Sequence, residues 1–326
     1  MERIPSSPPI ITPLPANEQR PLLSVMIPVY NCAQFLPIVL ESVLSQDMGA
    51  ALMQIEVVDD ASTDADVAAI VQQLGKGRVS YYRQPENVGS LRNFETCINR
   101  SRGQLVHLLH GDDRVKAGFY KKLSALFEQY PEAGAAFCNY CFIDDTGKIT
   151  HGHPPEAKEA GILKDWLPRI AELQRIQYVT IVVRRQVYEK LGSFYGMAYG
   201  EDWEMWVRIA RYYPIAYTPE ILAEYRLHSG SISWQKSING QSIKDLIHAI
   251  TLIQEHLPEE DKKRVIGNAK KHCAYFSICI ANNIWHDSHD RSAAQNQIKI
   301  TLELCKEPKL YYHILKLYIK IVLRMS

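Results

Sequence analysis

The sequence predicts an α/β fold: a mostly parallel sheet flanked by helices, followed by a helical C-terminal region. Three observations carry this. Short apolar runs recur at residues 22–27, 55–58, 79–82 and 105–109, and the run holding Leu105, Val106, Leu108 and Leu109 is apolar on both faces, as in a strand covered by helices on each side. Between the runs, apolar residues fall at helical spacing, so strands and helices alternate and the crossovers are right-handed. From about residue 237 the pattern is helical to the end.

Taken in order, residues 1–21 hold Pro5, Pro8, Pro9, Pro13, Pro15 and Pro21, which forbid a continuous helix or a central strand and predict a flexible leader. The first strand runs into Pro28-Val29-Tyr30-Asn31, and Phe35, Leu36, Val39, Leu40, Val43 and Leu44 follow as a helix. The second stops at Asp59-Asp60-Ala61-Ser62-Thr63-Asp64, an acidic loop that can also cap the helix through Ile70 and Leu74. The third leads to Asn87-Val88-Gly89-Ser90 and a helix carrying Leu91, Arg92, Phe94, Cys97 and Ile98. The fourth ends abruptly at His110-Gly111-Asp112-Asp113.

Ligands of open α/β sheets bind beyond the carboxyl ends of the strands. Three strand exits therefore bring Pro28 and Tyr30, Asp59 and Asp60, and Asp112 and Asp113 towards one crevice. Adjacent carboxylates there suit a hard divalent cation. Paired acids after a strand also serve as turn or cap residues, and this motif alone is compatible with either role.

Beyond the crevice the pattern predicts a helix over 119–130, a strand over 135–143, and a hairpin turn at Asp144-Asp145-Thr146-Gly147. A proline-containing surface loop spans 151–160, and a strand spans 178–183. Gly200-Glu201-Asp202-Trp203 opens a helix whose first-turn carboxylates the helix dipole would favour whatever their function. Short strands at 215–217 and 221–225 precede the polar loop Arg226-Leu227-His228. The domain reading is a leader over 1–21, an α/β domain over 22–235 and a helical region over 236–326.

Composition narrows the function classes. With 326 residues, 46% hydrophobic content and a net charge of +1, the chain has ample core and no electrostatic case for a nucleic-acid binder. Seven cysteines without a framework, and no secretory signal at the start, point to a reducing, cytoplasmic setting. Cys138 and Cys141 have C-x-x-C spacing, but a strand turns them to opposite faces and no second pair completes a zinc site, which favours core packing.

The ordered blocks Ser24-Val25-Met26-Ile27-Pro28-Val29-Tyr30-Asn31, Val57-Val58-Asp59-Asp60-Ala61-Ser62-Thr63-Asp64, Asn87-Val88-Gly89 with Arg92-Asn93, Asp112-Asp113, Gly200-Glu201-Asp202-Trp203 and Tyr225-Arg226-Leu227-His228 together resemble the family 2 inverting glycosyltransferases of GT-A fold. The resemblance covers roughly residues 22–233. It implies transfer of a sugar from a nucleotide-diphosphate sugar, first of all a UDP-sugar, to an acceptor hydroxyl with inversion, assisted by Mn or Mg. Acceptors would be glycans or lipid-linked sugars of cell-surface polysaccharide or glycolipid synthesis.

Carried over residue by residue, the resemblance places Pro28 and Tyr30 beside the base, with Asp60 and its neighbour Asp59 reading it. It places Arg92 in the nucleotide pocket, Asp112 and Asp113 on ribose and metal, and Asp202 as general base with Glu201 its nearest competitor. Arg226 and His228 belong to the loop over the diphosphate, with His228 a further metal ligand. One departure stands out: family members often have Asp two residues before Asp112, where this chain has His110. Imidazole can ligate Mn but suits Mg poorly, and packing near the nucleotide is the simpler role. His107 reads as a satisfied histidine of the strand.

Residues 310–324 are apolar and aromatic, with Lys316, Lys320 and Arg324 four apart on one helical face, too charged to span a bilayer. The stripe fits docking on an anionic membrane surface, or equally a helix packed on the domain or an oligomer contact. Two rival functions remain at this level: a nucleotidyltransferase, which would want a glycine-rich basic phosphate loop not seen after the first strand, and a non-catalytic sugar-nucleotide binder, which Asp202 and the Asp112-Asp113 pair argue against.

Overall fold

In a computed structural model that describes every residue except 1, 16, 232, 235, 237–239 and 324–326, the sheet is built around β1 (Leu23–Val29). All seven of its residues are buried, as a strand with apolar residues on both faces requires. Parallel partners β2 (Met53–Asp59) and β4 (Leu105–Leu108) flank it, and β3 (Ser80–Arg83) adds parallel to β2. The helices between them are α1 (Leu36–Leu44), α2 (Val67–Gly75) and α3 (Ser90–Arg100). This half is the predicted alternating unit, and its strand ends all face one edge.

The other half is mixed. The remaining strands are β5 (Arg114–Val115), β6 (Ala135–Ile143), β7 (Ile149–Gly152), β8 (Gly161–Ile162), β9 (Ile181–Arg184) and β10 (Ile215–Arg226), the helices of this stretch are α4 (Phe119–Gln129), α5 (Trp166–Glu172) and α6 (Arg185–Leu191), and the strand order is β3-β2-β1-β4-β9-β6-β10-β5. β9 runs antiparallel to both β4 and β6, while β10 is parallel to β6. The two short strands expected at 215–225 are one strand with a register shift between Thr218 and Ile221. The hairpin at Asp144 forms as expected, its carboxylate accepting from the Thr146 and Lys148 amides at 3.0 and 2.9 Å. Cys138 and Cys141 are buried in β6, and His107 is buried between Tyr120 and the Val179 carbonyl, so all three are core residues.

The leader expected to be loose is docked. Ile11 is fully buried, the Gly196 and Ser193 amides donate to the Pro5 and Pro9 carbonyls at 2.8 and 2.9 Å, and the Arg185 guanidinium donates to the Thr12 carbonyl at 3.1 Å. Proline removes a donor but keeps its carbonyl, so a segment barred from helix and ladder can still be held by its acceptors.

Two units divide the chain: residues 1–166, 176–198 and 208–227 form the first, and 167–175, 199–207 and 228–326 the second. Thus two internal segments group with the C-terminal helices instead of with the sheet. The second unit contains the start of α7 (Glu201–Tyr212) and the helices α8 (Gln241–Ile253), α9 (Glu259–Ser288), α10 (Arg291–Leu304) and α11 (Pro308–Leu323). Among the described residues no helix is long and apolar enough to cross a membrane.

Candidate functional site

At the carboxyl edge of the first unit's sheet, the loops after β1, β2 and β4 are tied to one another. The Asp60 amide donates to the Val29 carbonyl at 2.8 Å, and the Thr63 amide to the Asn31 side chain at 2.8 Å. The Gly111 amide donates to the Pro28 carbonyl at 3.2 Å. A Cβ on Gly111 would lie 2.8 Å from Cys32 Sγ and 3.3 Å from the Pro28 carbonyl oxygen, so glycine is what lets the acidic loop approach β1. Tyr30 stands at the same edge half-exposed, its ring open to a planar ligand.

Asp59 and Asp60 are both buried, and their oxygens are taken. Asp59 accepts from the Ser62 amide, the Tyr81 hydroxyl and Arg83. Asp60 accepts from the Asn87 side chain and from the Val88 and Gly89 amides at 2.8, 2.8 and 2.9 Å. Burial raises the Asp60 pKa, against these amides and the Arg3 charge. The pair therefore ties the loop after β2 to β3 and to the 87–89 segment. Gly89 presents its amide to Asp60 at φ +91°, a conformation that excludes most side chains.

The acidic pair after β4 is different. Asp113 is 1% exposed; one oxygen accepts the Arg226 amide at 2.8 Å, and the other, Oδ2, is buried with no hydrogen-bond partner. Burial, and then the Asp112 charge, holds its pKa well above the usual carboxylate range. His110 Nε2 is likewise buried without a partner. His110, Asp112 and Asp113 each offer a ligand atom, all within 4.8 Å of one another, the one such group of His, Cys, Asp or Glu among the described residues. Orphaned buried acceptors beside a second carboxylate fit a divalent cation. Burial keeps the His110 pKa below its usual value, against the pull of Asp112, so its ring is neutral near neutral pH.

Arg226 is 2% exposed and acts as a clamp. Its Nε donates to the Asp112 carbonyl at 2.7 Å, its Nη1 to the Asp144 and Asp145 carbonyls at 2.8 and 3.2 Å, and its guanidinium lies 4.7 Å from the Phe35 ring centroid. These bonds fix the acidic turn against the β6–β7 hairpin. Arg92 is turned to the leader, donating to the Glu2 carbonyl at 2.8 Å and pairing with Glu95 at 2.7 Å.

In the second unit, Asp202 sits in the first turn of α7. Its oxygens accept from the Trp203 amide at 2.7 Å and from Gln174 Nε2 at 2.5 Å. Trp203 is buried, its indole donating to the Ile170 carbonyl at 2.6 Å. Burial pushes the Asp202 pKa up to about 7, with the Trp203 and Gln174 bonds pulling the other way. A carboxyl with that pKa is a competent general base near neutral pH. Glu201 is buried beside it.

The structure thus gathers Pro28, Tyr30, Asp59, Asp60, Asp112, Asp113 and Arg226 at one edge of the first unit and turns Arg92 towards the leader, while Glu201, Asp202 and His228 belong to the second unit. Gln174 escapes sequence reading, because a single glutamine after a helix carries no periodicity or motif. His110 as a partner of the acidic pair is visible only as a departure from a pattern.

A parallel α/β half joined to a mixed half, with helices following the sheet, is a fold of the GT-A kind. The sequence model of Glycosyl transferase family 2 matches residues 24–192, just over half the chain. The chain belongs to that family.

Among curated relatives, an uncharacterized Mycobacterium tuberculosis protein, MT1568, is 38% identical over 121 residues, 37% of each chain. The chain thus spans under half the length of the first relatives it matches. The putative teichuronic acid biosynthesis glycosyltransferase TuaG of Bacillus subtilis is 27% identical over 67% of this chain and 83% of its own. Among solved structures, Staphylococcus aureus TarS 1–349 in complex with UDP-GlcNAc superposes with a TM-score of 0.67 at 16% identity, covering 92% of this chain and 89% of that one. The mannosyltransferase PcManGT of Pyrobaculum calidifontis, with GDP-Man and Mn2+, gives 0.60 at 16% identity, covering 98% and 92%.

Proposed function

We propose that the enzyme is a metal-dependent inverting glycosyltransferase that moves a sugar from a UDP-sugar to a hydroxyl of a glycan or lipid-linked sugar acceptor in cell-surface polysaccharide or glycolipid synthesis. The observation that carries this is the buried, partnerless oxygen of Asp113 within the His110, Asp112 and Asp113 cluster, at the edge where the fold binds nucleotides.

Asp112 and Asp113 would hold the cation, Mn or Mg, with His228 of the polar loop a further candidate. When bound, it supplies positive charge to the departing diphosphate. Tyr30 offers an open ring face to the base, and Asp60 holds the 87–89 loop that borders it. Arg226 positions the acidic turn through the Asp112 carbonyl. Asp202, held by Gln174, takes the acceptor hydroxyl proton as the new C–O bond forms at the anomeric carbon and the bond to the diphosphate breaks. The likeness to TuaG, a putative teichuronic acid biosynthesis glycosyltransferase, supports the polysaccharide reading, and the fold shared with TarS, solved with UDP-GlcNAc, is consistent with a UDP-sugar donor.

A panel of UDP- and GDP-sugars with MnCl2 tests the donor. A UDP-sugar at 100 times its Kd is expected to add about 2.7 kcal/mol of stability, seen as a raised melting temperature. A shift with GDP-sugars alone would contradict the UDP assignment.

Membrane docking on the cytoplasmic face is part of the same reading. α11 buries Leu310, Ile314, Leu317 and Ile321 and leaves Tyr311, Tyr312, Leu315, Ile319 and Val322 exposed, with Lys309 and Lys316 exposed beside them. Arg324, the third member of the basic stripe, lies outside the described residues, and Lys320 reaches Asn282 at 3.4 Å. An apolar face edged by lysines fits an anionic lipid surface. The full chain is expected to co-sediment with vesicles rich in anionic lipid, and a Leu315→Glu, Ile319→Glu, Val322→Glu variant to do so about tenfold less or weaker. Indifference of the native chain to those vesicles would end this reading.

A further inference from the structure

We propose that His110 is a ligand of the bound cation and biases this enzyme towards manganese over magnesium, an inference that rests on the metal-dependent reading above. At this position the family pattern commonly supplies a carboxylate, so the substitution changes the chemistry of the donor set. A ring nitrogen of His110 and an oxygen from each of Asp112 and Asp113 lie within 4.8 Å of one another, a spread that one ion can bridge with ordinary bonds of about 2.0–2.6 Å.

The imidazole is held in place. Its ring lies 5.1 Å from the Phe94 ring at an interplanar angle of 21°, and 4.3 Å from the Tyr178 ring at 31°. The Asp113 amide donates to the His110 carbonyl at 3.2 Å, closing the turn that carries all three groups.

A purely stacking role would be met by phenylalanine or tyrosine, neither of which brings an unsatisfied ring nitrogen into the interior. Here Nε2 of His110 is buried without a partner, and so is Oδ2 of Asp113, which is 1% exposed. Two polar atoms left empty in one turn are costly for a fold to keep, and a shared cation relieves that cost. Magnesium demands oxygen ligands in near-octahedral array, whereas imidazole suits the later divalent ions. One imidazole with two carboxylates therefore handicaps magnesium more than manganese.

The full chain, with UDP present, is titrated with MnCl2 and separately with MgCl2, reading bound metal by calorimetry and free Mn2+ by its electron paramagnetic resonance signal. His110→Phe keeps the stack and removes the nitrogen. Losing an inner ligand is expected to cost at least the 10- to 100-fold typical of outer-shell partners, so Mn2+ affinity falls about tenfold or more. His110→Asp, which supplies a third carboxylate, is expected to lower the Mn2+/Mg2+ affinity ratio by about tenfold. Nitrogen-14 modulation of the bound Mn2+ echo is expected in the native protein and in His228→Ala, and is lost in His110→Phe. Should His110→Phe fail to fold, the His110→Asp ratio and the persistence of the nitrogen signal in His228→Ala decide the matter. Native-like Mn2+ affinity in His110→Phe, an unchanged ratio in His110→Asp, or loss of the signal in His228→Ala overturns the ligand role while leaving the transferase reading in place. A native chain that binds no Mn2+ with UDP overturns both.

Discussion

Asp202→Asn is expected to lower kcat by about 10²–10⁴-fold, the range that a positioned general base contributes, while the donor still raises the melting temperature as in the native chain. The native rate should rise about tenfold per pH unit and level off above about 7, the value to which burial pushes this carboxyl. The groups that share its surroundings are Glu201, Gln174 and Tyr199, whose own pKa is raised first by desolvation and then by Asp202 and Glu201.

The same shift has a consequence for stability. A carboxyl whose folded pKa lies above its unfolded one binds more protons in the native state, so its contribution falls as pH rises from about 4 to about 7. Asp202→Asn should therefore gain stability relative to the native chain between pH 5 and pH 8. A flat difference across that range, in melting temperatures measured side by side, would mean that Asp202 is not shifted. Gln174→Ala removes a hydrogen bond that favours the ionised form, so the kinetic pKa should move further up.

Asp113→Asn is the second large effect. If cation charge on the diphosphate lowers the barrier by several kcal/mol, losing the ligand should cost about 10³-fold in kcat/KM. The readout that separates this from misfolding is thermal: MnCl2 with UDP should raise the melting temperature of the native chain and leave that of Asp113→Asn nearly unmoved. Equal stabilisation of both proteins would remove Asp113 from the metal set.

What the sequence makes legible follows from local physics. Apolar runs on both faces mark β1, β2 and β4, and alternation with helices places their ends on one edge, so the shared carboxyl edge of this half is readable without coordinates. The mixed half is not readable, because β9 joins β4 and β6 through pairings between distant segments that no local pattern encodes. Proline content predicts a loose leader because it reports on missing donors and says nothing of carbonyl acceptors such as those of Pro5 and Pro9, which the Gly196 and Ser193 amides engage. Within the site, motif residues identify the acids but not their use. Asp60 turns out to bind its own loop, Arg226 to clamp backbone carbonyls, and Arg92 to hold the leader. Gln174 is found only by its hydrogen bond to Asp202.

The most direct test follows the fate of a UDP-sugar incubated with the enzyme and MnCl2, watched by proton and phosphorus magnetic resonance. The account predicts slow appearance of UDP together with free sugar of the opposite anomeric configuration to the donor, abolished in Asp113→Asn. Retention of the donor's configuration in the first-formed sugar, or release of UMP or pyrophosphate in place of UDP, would contradict it.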